Sequence, residues 1–232
     1  LNETATMQQE IEIPREVPVM TMNGTVLFPH AMMPLYIFEE RYREMLRAVL
    51  AKDRVFAVAA LNTHAEAAQG SETPHMVAGI GVIRACKTNE DGTSNLILQG
   101  LTRVAFEAIT QEEPYRMARI RPIASEPGGS FDLIDTIADE IIQLIELQIK
   151  FGAAIPKEVV RFLQSVKEPE GVLDLAIHTL CTSGELKQEL LETRGILPRF
   201  NRFKAHLEET IAYLKVEQQL GDDLDDDTLG KN

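Results

Sequence analysis

"VLFPHAMMPLYIFEERYREML", residues 26–46, sets two prolines five positions apart, Pro29 and Pro34, in a run otherwise made of Val, Leu, Phe, Met, Tyr and Ile. Proline lacks a backbone N–H and fixes φ, so this apolar run is not a helix. It reads as short extended pieces, with proline confined to a sheet edge, a bulge or the first residue of a strand. Charge then arrives without a linker. Within "EERYREMLRAVLAKD", Tyr42, Met45, Leu46, Val49 and Leu50 recur at helical spacing, and Glu39 and Glu40 occupy the first turn, where the helix dipole favours acids.

Working outward from this stretch, "VPVMTM" (17–22) alternates like a half-buried strand. Asn23-Gly24 is a common tight hairpin turn, so 17–22 is expected to pair with 25–28. Downstream, residues 55–61, 76–86, 94–100, 102–109 and 115–124 are rich in β-branched residues and read as further strands. "NEDG" (89–92) and Gly100 supply turns between them, and the polar segment 62–74 is expected to project as a loop. Many short strands with one helix among them suggest a small closed or nearly closed barrel.

"SEPGG" (125–129) marks a linker, after which the apolar period changes from two to about 3.6. Ser130 is placed to cap the first long helix and Gly152 to end it. Pro156 stands at the first position of the next. Two helices follow, the second stopped by Gly195, and a last one keeps Phe200, Phe203, Leu207, Ile211 and Leu214 on one side as far as Gly221. The expected organisation is an α+β chain. It comprises an extended lead-in (1–16), a β-barrel-type subdomain (17–124), a linker (125–129), a bundle of five helices (130–220) and an acidic disordered tail (221–232).

Composition narrows the function classes. The 23 Lys and Arg stand against 36 Asp and Glu, a net charge of −13, and the body remains at −9 without the tail "GDDLDDDTLGKN". Nucleic-acid binding draws on phosphate contacts from Lys and Arg, so this balance argues against it. No run approaches the roughly 18–20 apolar residues of a membrane helix, and the N-terminus lacks a signal-peptide pattern, so the reading is cytoplasmic with no membrane partner. Cys86 and Cys181 are expected as two buried thiols rather than a disulfide.

Within this frame, "VPVMTMNGTVLFPHAMMPLYIFEERY" resembles the opening signature of the Lon protease N-terminal (LON substrate-binding) domain family, P-L-x-x-x-V-L-F-P-x-x-x-x-P-L-x-I-x-E-x-R-Y. "VAGIGVI" resembles its G-x-V-A strand, and "LILQGLTRVAFEAI" its L-x-G-x-x-R-x-x-I strand and turn. "IPKEVVRFLQSVKEPEGVLDLAIHTL" is similar to the helical part, so the resemblance spans roughly 15–220. It implies a PUA-like barrel fold followed by a helical bundle, and recognition of polypeptides rather than catalysis. No G-x-x-x-x-G-K-[ST] phosphate loop occurs in the sequence. The acidic end, in place of a continuing helix, points to a stand-alone form without ATPase and peptidase domains.

The residues expected to meet a partner are Met20, Met22, Phe28, Met32, Met33 and Tyr36. Thioethers are flexible and polarisable, so a Met-rich surface repacks around varied apolar segments. The competing reading, that the same side chains fill gaps inside the barrel, is favoured by their type alone, most of all for Phe28 and Tyr36. The implied partners are unfolded or partly folded polypeptides, or a separate protease or chaperone, with homo-oligomerisation left open. The alternative is a PUA-like RNA-binding protein. No catalytic residue, cofactor or metal is expected. His178 and Cys181 share a helical face but make too small a zinc set, and His30 reads as a turn residue. "DDLDDD" lacks the glycine and glutamate of a calcium loop. The arginines Arg194, Arg199 and Arg202 either bind an anion or pair with neighbouring glutamates.

Overall fold

Val17 and Val19 alternate with Met20 and Met22 because Glu16–Met22 is a strand, β1, in the computed structural model, which describes residues 12–229. Next come β2 (Met32–Ile37), α1 (Glu40–Leu50), β3 (Val55–Ala60), α2 (Thr63–Gln69), β4 (Val77–Thr88), β5 (Ser94–Gln111) and β6 (Arg116–Pro122). The helical half comprises α3 (Phe131–Asp135), α4 (Ile137–Lys150), α5 (Lys157–Ser165), α6 (Pro169–Leu180), α7 (Gly184–Glu192) and α8 (Ile196–Leu229).

The six strands form one mixed sheet in the order β2-β5-β4-β3-β1-β6, with β1 and β3 parallel and the remaining pairs antiparallel. β5 is long enough to serve two neighbours on one side. Its first part, from Ser94 to Gln99, pairs with β2, and its second part, from Val104 onward, pairs with β6. That second pairing joins β5, β4, β3, β1 and β6 into a ring, and β2 hangs outside it, so the sheet is not a strict barrel. The ring encloses small and β-branched residues such as Val19, Ala57, Ile80 and Val104. Its outer face carries a second apolar cluster, in which Leu27, Met33, Leu35, Leu96 and Leu98 meet the Tyr42, Met45, Leu46 and Val49 stripe of α1. The Tyr42 hydroxyl accepts from Thr21 N at 3.1 Å and donates to Thr21 O at 3.2 Å, fixing α1 to β1.

Residues 25–31 are not a strand. The turn at Asn23-Gly24 exists, with Gly24 at φ +62°, but it does not return 25–28 to β1, whose two sides are taken by β3 and β6. Instead the chain crosses the outer sheet face. A Cβ at Gly79 would lie 2.0 Å from Leu27 O, and one at Gly100 would lie 2.0 Å from Phe28 O. His30 N donates to Gly100 O at 2.9 Å, and Gly100 N to Ala31 O at 2.9 Å. Gly100 therefore makes no turn: the two strands expected around it are one continuous β5. His30 does hold a turn, at φ +64°.

Three further expectations change. The segment 62–74 contains a short helix, α2, capped by Asn62 Oδ1 accepting from Ala65 N at 3.0 Å. The first long helix is divided at Thr136 into α3 and α4, giving six helices after the linker where five were expected. The last helix continues past Gly221 to Leu229. Ser130 caps α3 and Gly152, at φ +97°, follows the end of α4, both as the sequence indicates.

The two halves are clasped by buried charge. Arg103 of β5, 2% exposed, donates to Thr193 O at 2.8 Å, to Leu191 O at 3.2 Å and to Ser125 Oγ. Arg199 of α8, wholly buried, pairs with Glu170 at 2.5 Å and approaches Asp174 at 3.5 Å, both on α6. Glu170 takes the hydrogen bonds: burial raises its pKa, but Ser125 and Arg199 together hold it below the ordinary value. The Asp174–Arg199 approach lacks hydrogen-bond geometry and leaves Asp174 Oδ1 without a donor. Burial accordingly pushes the Asp174 carboxyl up to about 6.

Two predictions follow from this packing. Gly79→Ala or Gly100→Ala sets a methyl against a backbone carbonyl that cannot step aside, and is expected to destabilise by at least about 1–3 kcal/mol in urea unfolding. For Asp174, the folded state keeps a proton that the unfolded chain releases near pH 4, so stability falls as pH rises from about 4 to about 6. Asp174→Asn should flatten that part of the stability–pH curve; an unchanged slope would show that Asp174 does not titrate there.

Candidate functional site: an apolar face on the edge strand

β2 hydrogen-bonds to β5 alone, so it is an edge strand, the place where a strand accepts Pro34. Its side chains alternate strictly. Met33, Leu35 and Ile37 point into the cluster under α1, while Met32, Pro34 and Tyr36 are exposed. Met32 is 51% and Tyr36 50% exposed, and Phe38, just beyond the strand, is 60% exposed. Tyr36 and Phe38 stack, with ring centroids 5.8 Å apart and planes at 27°.

Register carries this face across three strands. Pro34 lies opposite Ile97 on β5, which lies opposite Ala85 on β4; the next row is Tyr36, Asn95 and Lys87. The register shift between Ile83 and Ala85 bends β4 beside these rows. The result is a shallow groove of about 380 Å³, lined by Pro34, Leu35, Tyr36, Ala85, Cys86, Lys87, Asn95, Leu96 and Ile97. It is largely carbon-lined, with Lys87 the one charged side chain among those residues.

The six sequence-proposed contact residues are divided by this geometry. Met32 and Tyr36 stand on the open face. Met20 and Met33, each 6% exposed, and the wholly buried Phe28 belong to the packing beneath. Met22 is half-buried against the same cluster as Met20 and Met33. Pro34, Ile97 and Ala85 complete the face and are not among the contact residues proposed from the sequence. The period-two alternation placing Pro34 with Met32 and Tyr36 was available there, whereas the pairing with Ile97 and Ala85 is long-range.

Other candidate positions take structural roles. Arg194 pairs with Glu126 at 2.6 Å and Arg202 with Glu189 at 2.9 Å, and Arg199 belongs to the buried clasp, so these arginines meet carboxylates. His178 sits edge-on to Phe28 with ring centroids 6.5 Å apart. Cys86 and Cys181 are free thiols, Cys181 buried and Cys86 only partly so. Among the described residues no group of three His, Cys, Asp or Glu could hold a metal, and no helix is long and apolar enough to cross a membrane.

The closed β half, the helical half and the order of elements define a domain class that comparison with known proteins identifies. A sequence model of the ATP-dependent protease La (LON) substrate-binding domain matches residues 16–209, and the chain belongs to this family. It is similar to the Lon protease of Azospirillum brasilense, 28% identical over 218 residues covering 92% of this chain and 26% of that protein. It is similar also to the Lon protease of Syntrophus aciditrophicus, 27% identical over 222 residues covering 92% and 28%. The chain thus spans about a quarter of the length of these relatives. In fold it matches the N-terminal domain of the Mycobacterium avium complex Lon protease with a TM-score of 0.64 at 16% identity, covering 85% of this chain and 98% of that one. A Lon N-terminal domain protein from Xanthomonas campestris matches with a TM-score of 0.57 at 17% identity, covering 82% and 97%.

Cys86 stands in the row of Leu35 and Leu96, whose backbone floors the groove, with its side chain packed against the cluster under α1. Burial pushes the Cys181 thiol up, away from the reactive thiolate, while Cys86 is only partly buried. A maleimide should label Cys86 at least about tenfold faster than Cys181 in the folded protein, as read by mass spectrometry of timed digests. Equal rates would contradict the difference in burial between the two thiols.

Proposed function

We propose that the chain is a non-catalytic recognition module that binds exposed apolar segments of unfolded or partly folded polypeptides in the β2–β5–β4 groove. The observation supporting this most directly is the exposed row of Met32, Pro34 and Tyr36, with Phe38 stacked at its end, on an edge strand of a family whose model describes substrate binding. An adaptable thioether, a flat ring pair and a proline make a surface that many apolar sequences fit without a shape code. The open main chain of an edge strand can add pairing that depends little on the client's sequence. Lon proteases are the relatives in which such a module would hand a client onward, and a separate protease or chaperone is the corresponding partner here.

Apolar contact predicts affinity that rises with client hydrophobicity and changes little with salt, unlike phosphate-driven binding. Met32→Asp combined with Tyr36→Asp alters exposed positions and should leave the fold intact. Such a variant is expected to bind a reduced, carboxymethylated client protein at least about tenfold more weakly, the loss of roughly 1.4 kcal/mol or more of apolar contact. Undiminished binding by the variant would remove the groove as the client site.

A further inference from the structure

The main chain of β2 has one side bonded and one side free. Gly100 N donates to Ala31 O at 2.9 Å, and these two residues stand directly opposite when the β2–β5 register, Met32 facing Gln99, is extended by one. Opposite residues that bond each other recur at every second position of an antiparallel pair. Met33, Leu35 and Ile37 therefore turn their main-chain groups toward β5, and Met32, Pro34 and Tyr36 turn theirs away from the sheet. Among the described residues β2 ends the strand order and pairs with β5 alone, so that outer row meets no strand.

The outer row is unequal in donors and acceptors. Each of its residues offers a carbonyl, but proline has no N–H, so only Met32 and Tyr36 offer a donor. That shortfall decides between two occupants. A second copy of β2 laid antiparallel on the first brings its own Pro34, and a register that covers both prolines loses a donor from each copy. A proline-free segment of another polypeptide loses only the one. Repulsion between chains of net charge −13 weighs further against the second copy. An incoming segment also has an apolar row to continue, since Met32, Pro34 and Tyr36 are exposed on one face.

Resting on the recognition role proposed above, we infer how the client is held: an extended, proline-free segment joins the sheet as a seventh strand beside β2, accepting from the N–H groups of Met32 and Tyr36 and donating an N–H to Pro34 O. Main-chain bonds of this kind require no particular side chain. The alternate side chains of the segment lengthen the rows that begin at Met32, Pro34 and Tyr36, and there the apolar preference enters. The one client carbonyl that faces Pro34 stays with water at the open edge. What is selected is a state of the main chain, extended and with its N–H groups unspent. A helical segment has bonded those groups to itself, and a proline-rich one lacks them.

The test is residue-resolved amide hydrogen exchange on the chain, read by NMR, with three acetylated and amidated peptides of alternating threonine and phenylalanine flanked by serines. One is unmodified, one is N-methylated at every second residue so that a single edge keeps its N–H groups, and one is N-methylated throughout. With about nine-tenths of the chain bound to the unmodified peptide, the Met32 and Tyr36 amides should exchange about tenfold more slowly, while those of Met33, Leu35 and Ile37 are slow from the outset. The half-methylated peptide should bind through its open edge, and the fully methylated one at least about tenfold more weakly than the unmodified. Binding that leaves the Met32 and Tyr36 amides exchanging as in the free chain, or equal binding of the fully methylated peptide, would overturn strand addition and leave apolar recognition by the groove standing. Failure of the unmodified peptide to bind would also overturn it, and if the reduced, carboxymethylated client fails as well, the groove reading falls with it.

Discussion

The close approach of the 26–28 segment to a floor of glycines is the constraint on which the rest of the β half depends. Leu27 O and Phe28 O occupy the space that a Cβ at Gly79 or Gly100 would fill, so the backbone rests on backbone. This contact puts Leu27 into the cluster under α1 and Val26 and Phe28 into the core shared with the helices. One short crossing therefore belongs to both interiors. It also sets where β2 can begin: after the turn at His30 the chain emerges beside the first half of β5, outside the ring, and pairs there. The exposed face of Met32, Pro34 and Tyr36 is a consequence of that route.

The buried clasp acts on the same two halves from the other end. Arg103 bonds the carbonyls of Leu191 and Thr193 at the end of α7, and Arg199 reaches Glu170 and Asp174 on α6. Two guanidiniums and two carboxylates balance in number but not in hydrogen bonds. Glu170 receives short donors, while Asp174 has a guanidinium near it without a formed bond. Burying ions costs several kcal/mol each unless such bonds are made, so the uneven sharing explains why burial raises the pKa of Asp174 while the hydrogen bonds to Glu170 keep that of its neighbour on the same helix lowered. The clasp fixes how α6 meets α8 and how the end of α7 meets β5.

What could be read from sequence follows the range of the interactions involved. The α1 stripe, the Ser130 cap and the edge placement of Pro34 are set within a few residues, and each appears as expected. Asn23-Gly24 is a true turn signal that misled about pairing, because β3 and β6 already flank β1 and the glycine floor claims the residues after the turn. Gly100 is ambiguous in sequence for a physical reason. A glycine in a strand marks either a turn or a backbone approach, and only Phe28, more than seventy positions away, decides between them. The methionine cluster was visible as composition. Its division into Met32 outside and Met20 and Met33 inside needed the sheet register, and the Arg103 and Gln188 environments, built from contacts spanning 88 to 111 residues, had no local signal.

An exposed apolar row on an edge strand is ordinarily a hazard, since it offers another copy of the same chain both grease and unpaired main chain. Two features of this sequence oppose self-association while leaving the face open. Proline is accepted in an edge strand where its missing N–H would otherwise face outward, so Pro34 removes a donor from the edge that a second β2 would have to read. A net charge of −13 makes every encounter between copies repulsive at distances up to the screening length. The groove itself has Lys87 at its rim and no carboxylate among its lining residues, so an approaching neutral or weakly acidic apolar segment is spared the charge repulsion that a second copy meets. Acidity elsewhere on the molecule and the absence of acid among the groove's lining residues are thus parts of one arrangement, in which an acidic surface accompanies the apolar face proposed to receive clients.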